Sequence, residues 1–145
     1  MYRLLLSTLI SSCFTGLAFA QAPVIALNAG IHVLQAELAA TQDARIQGLM
    51  NRRHLDPNAG MLFVFPQKGI PCMWMRNTLI PLSVAFIDES GRVLNVENMA
   101  PQTTTNHCAS APARYALETN LGWFRQHGLG PGTLIQGLNK APAPQ

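Results

Sequence analysis

The sequence predicts a mainly β protein, a single compact antiparallel β-barrel-like domain with one or two short helices. Three observations carry this. The chain has 145 residues, 48% of them hydrophobic and only 12% charged, enough for one domain with a sizeable core. Its ten prolines and eleven glycines suit a turn-rich β architecture better than a charged helical bundle. The densest apolar stretch, residues 60–88, holds three runs of strand length, GMLFVF, CMWM and SVAFI, separated by proline and glycine.

Residues 1–20 read as a secretory signal. A short positive start (Arg3) leads into an apolar run over residues 4–17, and Ala18-Phe19-Ala20 forms an A-x-A cleavage site. The run is short for a spanning helix and ends in small residues, so no membrane span is expected after cleavage. The alternative is lipid attachment at Cys13, in the lipoprotein-like tetrad Ile10-Ser11-Ser12-Cys13. The expected location is periplasmic or secreted.

Residues 21–30 read as a leader and 31–138 as the domain. Residues 31–39 alternate apolar and polar, as a half-buried strand does. Thr41-Gln42-Asp43 offers caps for a helix over 43–53, with Gly48 inside it as a point of close packing. Asp56-Pro57-Asn58-Ala59-Gly60 is a turn. Strands follow over 60–65 (stopped by Pro66), 72–75 and 82–87, after the break at Pro81. Asp88-Glu89-Ser90-Gly91 turns the chain into a partner strand over 92–99. Residues 100–110 read as a mobile polar loop and 114–119 as an alternating strand. Asn120 is placed to cap a short helix through Gln126, and 133–138 to close the sheet. Residues 139–145 read as a disordered tail.

The formal charge is +3, and the Lys and Arg residues are scattered. A nucleic-acid footprint needs a basic patch or stripe, so no nucleic-acid partner is expected. Without the signal segment two cysteines remain, Cys72 and Cys108. An even count in an exported chain reads as a disulfide, here closing a loop of about 36 residues.

Four blocks, RIQGLMNRRHL (45–55), GMLFVFP (60–66), MWMRNTLIPLSVAFID (73–88) and PARYALET (112–119), resemble the domain-of-unknown-function 192 family, also called the conserved ACR family. The resemblance spans about residues 33–137. The family pattern often has Asp after I-P-L, where this chain has Ser83. The resemblance implies a compact mainly-β fold and frequent export, and it supplies no established activity.

Arg76-Asn77-Thr78 interrupts apolar strands just before Pro81 and is the leading polar cluster. One reading presents a guanidinium and an amide to an anion or a sugar-like ligand. The other uses Asn77 and Thr78 to satisfy a turn while Arg76 pairs with a carboxylate such as Glu118. Arg114 and Glu118 lie four apart on one strand face, as an internal ion pair or as part of a site. Trp74, with Trp123, Phe63 and Phe65, offers an aromatic platform or simply core. Met73, Met75 and Met99 with His107 offer soft ligands for Cu(I) or gap-filling packing. No cofactor is expected, and no Gly-x-Ser-x-Gly, His-Glu-x-x-His or phosphate-cradling glycine loop is present.

The sequence thus points first to an exported, non-enzymatic binding or accessory module. Its small ligand or envelope-protein partner would meet a face near Arg76, Asn77, Arg114 and the 102–110 loop. The alternatives are a carbohydrate-active hydrolase or lyase of the cell envelope, using Glu118, Glu97 or Asp88 as acid and base, and a periplasmic copper-binding protein.

Overall fold

In the computed structural model, residues 22–145 are described. The predicted signal segment, its cleavage site and Cys13 lie outside the described residues.

Nine strands form, β1 (Val24–Ala29), β2 (His32–Ala39), β3 (Ala59–Gly69), β4 (Cys72–Met73), β5 (Leu82–Ile87), β6 (Val93–Met99), β7 (His107–Cys108), β8 (Ala113–Asn120) and β9 (Ile135–Gln136). With them are the helices α1 (Gln42–Gln47) and α2 (Trp123–Gln126) and a 3₁₀ turn, Leu138–Lys140. Seven strands form one curled sheet in the order β6-β5-β8-β3-β2-β1-β9, while β4 and β7 form a separate ribbon. The predicted mainly-β, barrel-like architecture with two short helices is what forms, as a half-barrel. Its pairings are antiparallel except β2 with β3, which run parallel. A parallel neighbour needs a long crossover, and residues 40–58, including α1, supply it.

The central strands of the sheet bury both faces. Leu34, Leu38, Leu62, Ala85, Ile87 and Leu117 point to one side, closed by Trp123 and Phe124 of α2. Met61, Phe63, Leu82, Val84, Phe86 and Ala116 point to the other, covered by Leu49, Leu55, Met75 and Ala109. Strand β5 is therefore buried at every position, which is why its sequence is apolar apart from Ser83.

Several boundaries differ from expectation, each for a physical reason. The stretch read as a leader contains β1, which pairs with β2 along its whole length. Helix α1 ends at Gln47 rather than Arg53, because Gly48 takes φ 46° and caps it. A Cβ there would lie 3.2 Å from the Phe63 ring, the close packing expected at this glycine. Strand β3 runs past Pro66 to Gly69, and the proline falls where the register with β8 shifts, so its missing N–H breaks no regular ladder. The 72–75 strand shortens to two residues.

The α2 cap is Gly122 (φ 80°). Asn120 instead donates its side-chain amide to the carbonyls of Leu55 and Asp56. The 100–110 loop is tied down: Met75 N–H donates to Thr103 O, Gln102 N–H to Thr78 O, and β7 within it pairs with β4. The 139–145 tail is also held, with Gln145 N–H donating to Ala40 O and Arg45 Nη2 donating to Gln145 O.

Cys72 and Cys108 face each other across β4 and β7 and are joined by a disulfide, Cα–Cα 4.0 Å. In the chain-entropy model a loop of this length contributes about 3–4 kcal/mol. Thiol titration of the denatured, unreduced chain from residue 21 onward should therefore find no free thiol. The Cys72→Ser/Cys108→Ser double variant should lose roughly 3 kcal/mol in denaturant unfolding; an unchanged midpoint would remove this role for the bridge.

Candidate functional site

The outer core layer has a gap over β8. Residues 45–50 lie on one side of it, Met73, Trp74 and Thr78 on the other, and Phe63 and Glu118 at its base. The space inside is about 30 Å³, room for a water-sized group. Glu118 is only 4% exposed. It sits in register between Met61 of β3 and Val84 of β5, among the apolar side chains of the outer layer. No side chain or backbone group among the described residues hydrogen-bonds or ion-pairs with its carboxyl. Burial alone raises its pKa from the ordinary carboxylate range to about 8. Burial thus favours the protonated form of the group at the base of the cleft.

The sequence candidates separate into those the fold gathers here and those it does not. Trp74, Thr78 and Glu118 line the same cleft. Thr78 is buried, and its hydroxyl donates to Arg76 O. Trp74 is 47% exposed at the rim, with the Arg76 guanidinium 5.9 Å from its ring centroid in a cation–π arrangement. Asn77 is spent on the turn: it takes φ 55°, and its carbonyl accepts from Asn51 N–H.

Arg114 shares the strand face of Glu118 but donates to Phe65 O. The pairing of Glu118 with Arg76 or Arg114, one of the two expectations, does not form. The aromatic platform does not assemble either, because Phe63 and Trp123 are buried in different core layers.

The carboxylates considered for acid–base chemistry do not share a cavity. Glu97 lies two strands from Glu118 in register, across Val84. It accepts from Asn95 Nδ2 at 3.1 Å and lies 4.0 Å from His107 Nδ1. Asp88 sits in the β5–β6 turn. Partial burial pushes its carboxyl up, but hydrogen bonds from Ser90, Arg92 and Gly91 outweigh this and hold it below the ordinary value. Met75 and Met99 are fully buried in the outer layer with Met73 packed against it, so their sulfurs serve as core packing.

The segment that sequence reasoning missed is the wall at residues 45–50, which it read only as helix. The signal within it was Gly48, whose positive φ turns the chain over Phe63.

A β-barrel-like fold with this GLM…GMLF…RNT…RYALE framework defines a class, and the comparisons name it. Residues 24–137 match the model of the domain-of-unknown-function 192 family, described as uncharacterized ACR, and the chain belongs to that family. No curated protein matches it. Similar solved structures include two at more than 30% identity. One is a proposed transcription regulator from Sinorhizobium meliloti, 36% identical, TM-score 0.72, covering 77% of this chain and 89% of that one. The other is a protein of unknown function from Novosphingobium aromaticivorans, 31% identical, TM-score 0.78, covering 82% and 89%.

An acid whose folded pKa lies above its unfolded value binds its proton more tightly when folded, so stability falls as pH rises between the two values and levels off above the upper one. For Glu118 the window runs from about 4.5 to about 8, with a limiting slope of roughly 1.4 kcal/mol per pH unit. Thermal unfolding of the wild type minus that of Glu118→Gln should show a stability difference that declines across this window. A difference independent of pH would mean that the carboxyl is not held neutral.

Proposed function

We propose that this protein is an exported binding or accessory module whose recognition site is the cleft over Glu118. One observation carries the reading: a carboxyl with no hydrogen-bond partner among the described residues lines an opening that a small group fits. A ligand group or a water entering the opening can reach that carboxyl. The rim supports the same reading. Trp74 and Ile46 are exposed (47% and 62%), and Arg76 is stacked on Trp74; aromatic residues and arginine are enriched at recognition surfaces.

The narrowness of the cleft favours binding over hydrolysis. A glycosidase flanks its bond with two carboxyl groups roughly 5–10 Å apart in an open site, and here Glu118 is the only carboxylate lining the cleft. Export is supported by the disulfide, which persists in oxidising compartments, and by the signal-like sequence of residues 1–20. Among the described residues no helix is long and apolar enough to cross a membrane. Several arginines are engaged internally: Arg52 with Glu37, and Arg45, Arg92 and Arg114 with backbone carbonyls.

The test is a thermal-shift screen of the mature chain against amines, organic anions, oligosaccharides, nucleotides and metal ions. A ligand at a hundredfold excess over its Kd adds about 2.7 kcal/mol, several degrees for a domain of this size. A shift lost in Glu118→Gln and weakened in Arg76→Ala is expected. A shift of equal size in both variants would place binding elsewhere, and no shift with any compound would end the small-ligand reading.

A further inference from the structure

The fold brings together two histidines that lie far apart in the chain. His32 opens β2, just after the β1–β2 turn, and His127 is the C-cap of α2. Their rings meet with centroids 4.4 Å apart at an interplanar angle of 68°. The core beneath holds the two elements together: Leu34 of β2 and Phe124 of α2 belong to one buried cluster, with Leu129 packed against it. This is the side of the sheet closed by Trp123, away from the layer that covers Glu118. Both histidines are half-buried, so solvent and its ions reach them.

The hydrogen bonds assign the nitrogens. A backbone carbonyl only accepts, so the 2.7 Å contact between His127 Nδ1 and Trp123 O makes Nδ1 the donor. In the neutral ring the lone pair is then on Nε2. Metal-binding histidines characteristically spend their other nitrogen this way, which fixes the tautomer and the ring orientation. The Trp123 ring, 4.4 Å away centroid to centroid, supports the imidazole from a second direction, and its own Nε1–H donates to Asn58 Oδ1. Among the described residues nothing hydrogen-bonds to the His32 ring, which is free to turn a nitrogen toward a shared ion.

The spacing selects the ion. A metal about 2.0 Å from an imidazole nitrogen lies roughly 3.2 Å from that ring's centroid. Two such rings at right angles about the metal have centroids about 4.5 Å apart, and two at the tetrahedral angle about 5.2 Å. The observed 4.4 Å matches the right-angled arrangement, which belongs to tetragonal Cu(II) and Ni(II) and not to tetrahedral Zn(II). Of these Cu(II) stands highest in the affinity order of the divalent metals.

We propose that His32 and His127 form a binding site for Cu(II), each supplying one imidazole nitrogen, with water or an exogenous ligand in the remaining positions. Among the described residues no three His, Cys, Asp or Glu side chains group around an ion. The site is therefore open-sided and exchangeable, unlike the closed four-ligand structural kind. It stands apart from the cleft over Glu118, and neither reading depends on the other.

The experiment is titration of the chain from residue 21 onward with Cu(II) chloride, read by the fluorescence of Trp123 in a Trp74→Phe background, with EPR of the loaded protein. Paramagnetic Cu(II) quenches an indole lying against its ligand, as Trp123 lies against His127. The expected result is quenching that saturates at one equivalent, and a tetragonal Cu(II) spectrum coupled to two imidazole nitrogens. His32→Ala and His127→Ala, each verified as folded by its thermal transition, should lose the quenching and the two-nitrogen spectrum. Should His127→Ala not fold, His32→Ala and the EPR of the unsubstituted chain decide the matter.

The rival ligands are His54, paired with Asp56 at 2.9 Å, and His107, 4.0 Å from Glu97. The His54→Ala/His107→Ala double variant should retain both signals. Absence of quenching, quenching retained in folded His32→Ala, a spectrum with fewer than two imidazoles, or loss of both signals in the double variant overturns the proposal. Any of these leaves the cleft over Glu118 untouched, because its own test reads shifts lost in Glu118→Gln.

Discussion

Burial of both faces of the central strands β3, β8 and β5 is the constraint on which the rest of this structure depends. A strand with no solvent side must satisfy every polar side chain inside the protein. Ser83 does so by donating to Asn98 Oδ1 and accepting from Gly122 N–H, and Thr119 by donating to the carbonyls of Ser83 and Asn120. Glu118 differs: it has no hydrogen-bond partner among the described residues and lines the cleft instead. The strands carrying it are closely apposed: a Cβ on Gly60 would lie 2.5 Å from Glu118 O, so only glycine fits opposite that peptide. The acid is thus held on a rigid platform, where a fixed polar group is most effective in recognition.

How much of this was legible follows from where each signal lies along the chain. β5, the Asp88–Gly91 turn and β6 were readable because their determinants are local: a continuous β-forming run, a turn-forming tetrad and a second run. β1 was missed because Val24–Ala29 carries no strong strand signature of its own; it is a strand because β2 and β9 lie beside it. The α1 end was misplaced because the apolar spacing of Leu49 and Met50 continues a helical pattern that Gly48 stops through its backbone angle. Pro66 looked like a stop, but the bulged register between β3 and β8 accommodates it.

The candidate site was legible as a set of residues and illegible as an environment. Glu118, Thr78, Trp74 and Arg76 were all named from sequence. The isolation of Glu118 depends on three segments arriving over it, at 45–50, 61–63 and 73–78, and no local pattern in PARYALET reports that. The natural expectation for an arginine four residues from a glutamate on one strand is an ion pair. Here Arg114 finds Phe65 O instead, and the acid is left with desolvation as the one influence on its titration.

The disulfide links this environment to the compartment. The wall carrying Trp74 and Thr78 is not part of the main sheet. It is attached through the β4–β7 ribbon, through Met75 N–H to Thr103 O, through Gln102 N–H to Thr78 O, and through the Cys72–Cys108 bridge that closes the ribbon. A two-residue ribbon is too short to hold itself in water, so the bridge and the insertion of Met75 into the outer core keep this wall over Glu118. Neutrality of the acid requires that wall, because exposure would return the carboxyl to its ordinary range. The bridge is thus one of several ties, with Met75 and two backbone hydrogen bonds, that hold this wall over the acid.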